Sequence, residues 1–332
     1  MKKILNNPSD FVDESLRGIV LAHSDMLRSV GDPRVIVRSD APVRGKVAIA
    51  TGGGYGHLPV FLGYVGQGLA DGACVGNVFS SPSADAMLTV TKSIDGGAGV
   101  LYLYGNYFGD KMNFDLAAEM ARDEGIQVET VRVTDDVASA PAEQMSKRRG
   151  VAGVFFVYKI AGACAESGAS LEEVKRLAEE VVINVRTMGI GFSPCTIPAS
   201  GKPTFEIADN EVEIGIGIHG EPGISRQETA PAKELVSQLL AHLTADLDLV
   251  PGDEVSILVN GTGSTPLEEL YVAYKEAHSW LSQKGIKIFK PFVGEYATSL
   301  EMAGFSISVL KLDETMKALL QAPVNTPFIK QL

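Results

Sequence analysis

Lys46-Val47-Ala48-Ile49-Ala50-Thr51 opens directly into Gly52-Gly53-Gly54-Tyr55-Gly56-His57-Leu58-Pro59. A short continuous apolar run, rather than an alternating one, reads as a strand covered on both faces. The glycines at its end permit φ values that other residues avoid and let backbone amides come close to a small ligand. A second such run, Gly99-Val100-Leu101-Tyr102-Leu103, lies downstream. Between the two, Ser83 to Ser93 carries helical spacing after Pro82, with Ser81 as the expected cap. Asn113 to Glu124 reads as another helix, stopped at Gly125, and Val128 to Val133 as the next strand. Strand, helix and strand in succession imply parallel pairing in an α/β sheet.

Further along, Ser170 to Met188 reads as a helix, since Ser170 and Glu173 form a capping box and leucine and valine recur on one face. After Gly189-Ile190-Gly191 the chain becomes rich in proline, glycine and serine as far as Pro203. That change of texture divides the chain into residues 1–187 and 188–332. In the second part, 212–218, 255–259, 286–289 and 305–310 read as strands and 267–284 as a helix. The expected fold is therefore α/β in two domains, each a mixed, mostly parallel sheet flanked by helices.

At 332 residues the chain is too long for one ordinary core. Its 45% hydrophobic and 21% charged residues are those of a globular protein. A net charge of −12 without a basic block argues against nucleic acid or an anionic membrane as partner. The densest basic cluster, Lys147-Arg148-Arg149, reads as a solvated loop. No stretch approaches the roughly 20 apolar residues of a membrane span, and the chain start turns polar too early for a signal peptide. Cys74, Cys164 and Cys195 are odd in number and lack C-x-x-C spacing, which speaks for packed free thiols, no metal site and a cytoplasmic location.

Three places carry residue types suited to chemistry. His57 follows the glycine run, beyond a strand end, where open α/β sheets bind ligands. The run is neither G-x-G-x-x-G nor a Walker A loop, so it does not indicate nucleotide binding. Asp110, in Gly105-Asn106-Tyr107-Phe108-Gly109-Asp110, also lies just past a strand, either as a cap of the next helix or as a proton acceptor beside His57. His219 sits in Ile214-Gly215-Ile216-Gly217-Ile218-His219-Gly220-Glu221-Pro222-Gly223. On a strand, Gly215, Gly217 and His219 would share one face, leaving space for a small molecule beside the imidazole. His23, His242 and His278 lie in mixed helical surroundings and read as surface residues.

Together these segments resemble the DhaK family, the dihydroxyacetone-binding subunits of dihydroxyacetone kinases. The carriers are Gly52-Gly53-Gly54 with Gly56-His57 and Pro59, Gly63-Tyr64-Val65-Gly66, Asn106-Tyr107 with Gly109-Asp110 and Asn113-Phe114, and the stretch 215–223 around His219. Asn260-Gly261 with Thr265-Pro266 also fits, and the resemblance runs from Ile4 almost to the last residue. It implies a homodimeric two-domain protein that bonds a short-chain ketose to His219 as a hemiaminal, which glycerol, lacking a carbonyl, cannot form. It further implies that Asp110 and His57 handle protons, and that backbone of Gly53 and Gly54 contacts the substrate. No metal or cofactor is implied on this chain, because the family places ATP or ADP with magnesium on a separate DhaL-type subunit. Phosphate comes from ATP or, in some systems, through a phosphotransferase-system protein.

The chain departs from better-known members where it has Tyr55, Leu58 and Phe61 in place of serine, glutamate and histidine, and Gly105 in place of a lysine. These changes suggest a more apolar rim, with space at Gly105 for an extra hydroxymethyl group. The ketose is then dihydroxyacetone or a ketotetrose such as erythrulose. A regulatory coactivator without kinase activity is the other reading the family allows.

Overall fold

The computed structural model describes residues 2–332. After α1 (Phe11–Ala22), strands β1 (Leu27–Val30), β2 (Asp32–Arg38), β3 (Ala48–Tyr55), β4 (Gly72–Val78), β5 (Val100–Gly105) and β6 (Val128–Val133) form one sheet, ordered β1-β2-β4-β3-β5-β6. Its three central and outer pairings, β4–β3, β3–β5 and β5–β6, are parallel. Helices α2 (Ala84–Ile94), α3 (Phe108–Asp123), α4 (Val154–Glu166) and α5 (Leu171–Asn184) cover its faces. A second sheet takes β7 (Val185–Ser193), β8 (Glu211–Ile214), β9 (Ser225–Glu228), β10 (Glu254–Gly261), β11 (Lys287–Gly294) and β12 (Ala303–Lys311), ordered β11-β10-β12-β7-β8-β9. With it come α6 (Ala232–Asp246), α7 (Leu267–Gln283), α8 (Glu314–Gln321) and the short pair β13 (Val324–Asn325) and β14 (Lys330–Gln331).

Both sheets are mixed and flanked by helices, as expected of the α/β class. Their balance differs, however, since only β10–β11 is parallel in the second sheet and its other four pairings are antiparallel. β7 passes to β8, β8 to β9 and β11 to β12 without an intervening helix, so no βαβ crossover constrains these connections to parallel pairing.

Alternation along the strands produces the layers. From β3 and β5, Ala48, Ala50, Val100, Tyr102 and Tyr104 pack with α2 and α3, while Ile49, Leu101 and Leu103, with Val47 just before β3, pack on the α4–α5 side. In the second sheet Val255, Ile257, Val259, Ile307 and Val309 face α6 and α7. Leu258, Leu310 and Phe292 face α4 and α5 instead. The α4–α5 layer is thus shared between two sheets, and α4 is buried from Val154 to Ala165. Phe155 meets the Phe292 and Tyr296 rings at 4.9 and 4.6 Å. The amine of Lys159, itself 1% exposed, donates to Leu319 O and Ala322 O at the end of α8, both at 2.8 Å. The chain end therefore returns to the first half, where Thr326 Oγ1 also donates to Gly63 O. β7 begins at Val185, three residues before the expected division at 187/188.

Candidate functional site

His219 is delivered by a turn, not by a strand. β8 ends at Ile214, where Gly215 adopts φ +82° and bends the chain. The amide of Gly217 then donates to Glu221 O, and that of Gly220, at φ +84°, to Gly217 O. The expected alternation over 214–219 is therefore overturned. A Cβ on Gly217 would lie 2.1 Å from Glu221 Oε2 and 2.6 Å from Arg149 Nη1, so that glycine admits protein side chains rather than ligand. Glu221 grips His219 twice, accepting from the backbone amide through Oε2 and pairing with Nδ1 through Oε1, both at 2.9 Å. Burial works to raise the Glu221 carboxyl, but the hydrogen bond and charge of His219 and the charge of Arg149 outweigh it and hold it at about 2. An ionised carboxylate only accepts, so Nδ1 carries the ring proton and Nε2 its lone pair.

His57 arrives from the opposite half. The segment after β3 is clasped to residues 298–300: Leu300 N donates to Gly56 O at 2.7 Å and Thr298 Oγ1 to Leu58 O at 2.8 Å. His57 Nδ1 donates to Thr298 O at 2.7 Å, leaving Nε2 buried and without a partner. Burial, reinforced by His219, pushes this imidazole down to about 3, so it is neutral at neutral pH. Its ring centroid lies 4.8 Å from that of His219, edge to face. Phe79 stacks on His57 at 4.9 Å and meets His219 at 5.3 Å, and Tyr107 closes the other side of His219 at 4.8 Å. Among the described residues four non-glycines have positive φ, and three of them, Phe61, Phe79 and Leu300, surround this pair. Backbone strain concentrated at one place is a mark of a functional site.

Asp110 lies in the first turn of α3, which starts at Phe108 rather than at the expected Asn113. The N-cap position is Tyr107, so Asp110 is not the cap. It is 5% exposed, and Oδ1 has no hydrogen-bond partner. Burial raises its carboxyl to about 6 against the opposing hydrogen bond of Ser81 and the charge of His219. Ser81, expected to cap α2, serves Asp110 instead, and α2 is capped by Ser83 accepting from Ala86 N at 3.2 Å.

The other sequence candidates fall out differently. Added Cβ atoms would strike the Phe61 ring at Gly53 (2.3 Å) and the Phe79–Ser80 backbone at Gly54 (2.6 Å), so these glycines let two aromatic residues close on His57. At Gly105 a Cβ would meet Gly150 O at 3.1 Å and the Tyr107 ring at 3.3 Å, so the missing side chain leaves no open space there. Tyr55 turns away from the site to Ser15 and Phe11 of α1, and of the three departures only Phe61 faces His57. His242 and His278 are exposed, and His23 lies half-buried against Phe328. The solvated reading of Lys147-Arg148-Arg149 holds for Lys147 alone. Arg148 is 1% exposed and paired with Asp246 by two hydrogen bonds of 2.8 and 2.6 Å, and Arg149 reaches Glu221. Sequence reasoning gave no role to Glu221, Phe79, Tyr107 or Thr298, although Tyr107 and Glu221 stand inside the motifs quoted around Asp110 and His219.

Among the described residues no group of three or more His, Cys, Asp or Glu side chains is arranged to hold a metal ion, and no helix is long and apolar enough to cross a membrane. Cys74, Cys164 and Cys195 are free and buried.

The Dak1 domain profile matches residues 17–328. The chain is 47% identical, over 98% of its length and 99% of the relative's, to PTS-dependent dihydroxyacetone kinase 1, dihydroxyacetone-binding subunit DhaK, of Listeria innocua. It is 43% identical to the D-erythrulose kinase of Mycolicibacterium smegmatis, matching all of this chain but 57% of that protein. Among solved structures, the dihydroxyacetone kinase of C. freundii in complex with AMP-PNP and Mg2+ superimposes with a TM-score of 0.91 at 32% identity, covering 99% of this chain and 61% of that one. The dihydroxyacetone kinase operon co-activator Dha-DhaQ superimposes with a TM-score of 0.90 at 31% identity, covering 96% and 99%.

Proposed function

The chain belongs to the Dak1 domain family, among its DhaK-type subunits, and from that premise we propose that it holds a short-chain ketose covalently on His219 for phosphorylation by a partner. The observation that carries this is the His219 ring, tethered through Nδ1 to Glu221 and set edge to face, 4.8 Å between centroids, with the ring of His57, whose buried Nε2 has no partner. The Nε2 lone pair of His219 adds to the carbonyl carbon, and the π pair moves to oxygen, which takes a proton from solution. The ring keeps its Nδ1 proton, and Glu221 balances the charge. His57 Nε2 accepts a hydrogen bond from the new hydroxyl. Asp110, poised near 6, is suited to take the proton of the terminal hydroxyl as phosphate arrives. Phosphoryl transfer asks little more of the acceptor side than positioning and a modest base.

The donor belongs to a DhaL-type subunit carrying ATP or ADP with magnesium. Two relatives extend well beyond the part that this chain matches, one of them an AMP-PNP and Mg2+ complex, which supports that division of labour. The ketose is dihydroxyacetone or erythrulose. Gly105 offers no extra volume for the larger sugar, so the erythrulose reading rests on the likeness to the D-erythrulose kinase. The coactivator reading rests on the likeness to Dha-DhaQ, and the unsatisfied Asp110 carboxyl favours the kinase, since holding a ketone needs no base there.

Native mass spectrometry with dihydroxyacetone or erythrulose tests the anchor. A ketone adduct on the wild type that is missing from His219→Ala is the expected result, and no adduct with either sugar would sink the proposal. Phosphorylation with a DhaL-type partner then separates kinase from coactivator.

A further inference from the structure

We propose that Arg149 is a positioning residue for this reaction: it fixes Glu221, and through Glu221 the tautomer and direction of His219. The proposal deepens the hemiaminal reading and rests on it. Arg149 comes from a loop seventy positions before His219, but that loop is pinned from several sides. Its carbonyl accepts from Asp136 N at 3.1 Å, and its amide donates to Ser139 Oγ at 3.0 Å. Arg149 Nε donates to Asp136 Oδ2 at 2.8 Å, while Nη2, equally close, lies off the hydrogen-bond line. Asp136 is in turn 2% exposed and accepts from Ala138 N. The guanidinium is therefore held from behind by a buried carboxylate and presents Nη1 forward, 3.7 Å from Glu221 Oε2.

Glu221 needs such a hold. Its side chain is 31% exposed and has three rotatable bonds, so water competes for both oxygens. With Arg149 beside Oε2, that oxygen stays on the His219 amide, and Oε1 stays on Nδ1. Released, the carboxylate can turn to solvent. The neutral imidazole then distributes its proton over both nitrogens, and the Nε2 lone pair is lost in the fraction protonated there. Gly217 is the other half of the device, because carboxylate and guanidinium meet in the space where its side chain would be. Lysine would supply the charge but not the fork that serves Asp136 and Glu221 together.

Two measurements on the full chain test this. One is the rate of ketone adduct formation with dihydroxyacetone, followed by native mass spectrometry. The other is the 15N spectrum of histidine-labelled, ketone-free protein near pH 8.5, about two units above an ordinary imidazole, where the neutral tautomers are read directly. Arg149→Met and Gly217→Ala are each expected to slow adduct formation about tenfold, the usual scale for a lost orienting partner, and to convert the single His219 Nδ1–H pattern into a mixture. Arg149→Lys is expected to recover part of both. Either Arg149→Met or Gly217→Ala, melting like the wild type yet showing the wild-type rate and tautomer, would overturn the proposal. If the wild type forms no adduct, the hemiaminal reading has failed instead, and the 15N pattern alone still decides the role of Arg149. Should Arg149→Met not fold, Gly217→Ala and Arg149→Lys carry the same two readouts.

Discussion

Asp110 keeps its proton to about pH 6, well above the ordinary 3.8, because burial penalises the ion more than Ser81 and His219 relieve it. A carboxyl raised in the folded state favours folding at low pH and weighs against it once ionised. Stability is therefore lost as pH rises from about 4 to 6, by at most about 3 kcal/mol at 1.36 kcal/mol per pH unit. Asp110→Asn should melt above the wild type at pH 8, with the difference shrinking towards pH 4. The same variant should still take up ketone but transfer phosphate about 100-fold or more slowly, as for a lost general base. Unchanged melting at pH 8 would mean that the carboxylate is solvated after all. Glu221 has the opposite sign: held at about 2, it stabilises the fold above its ordinary 4.5, and that contribution goes as pH falls through 2. Of the residues at the site, His57, Asp110 and His219 were legible because each stands beside glycines at the end of an apolar run. Arg149 was not, since nothing local in Lys147-Arg148-Arg149 reveals which carboxylate waits for each cation.

At the scale of elements, runs with a clear period were readable. β6 spans the expected Val128–Val133, and α5 starts where Ser170 caps it, accepting from Glu173 N at 3.3 Å. The end of α5 was placed too late, because valine and isoleucine continue the apolar spacing from the helix straight into β7. α4 had no readable period, since a helix buried between two sheets is apolar all round. β8 looked longer than it is because its Gly-Ile alternation imitates a strand, whereas only a left-handed Gly215 can make the bend after Ile214. Gly215→Ala puts a side chain at φ +82° and a Cβ 2.5 Å from that of Ala138. It should cost about 1–3 kcal/mol in urea unfolding and weaken ketone capture. Full stability in this variant would show that the bend is adaptable.

For the whole molecule, the shared α4–α5 layer joins both sheets to one continuous core running from Val47 to Val324. Folding should therefore be cooperative across the expected division at 187/188. The single tryptophan, Trp280, packs against the core under α6 and α7, so its fluorescence reports the second half, while far-ultraviolet circular dichroism reports both. The two probes should give coincident urea transitions. Separated curves would mean that the halves unfold on their own. The clasp between residues 56–58 and 298–300 has a hereditary side as well. His57 and Asp110 are encoded in one half of the gene and His219 in the other, so no recombination that transplants a single half carries all three residues with it. The three side chains pass to descendants together only as a linked pair of distant segments.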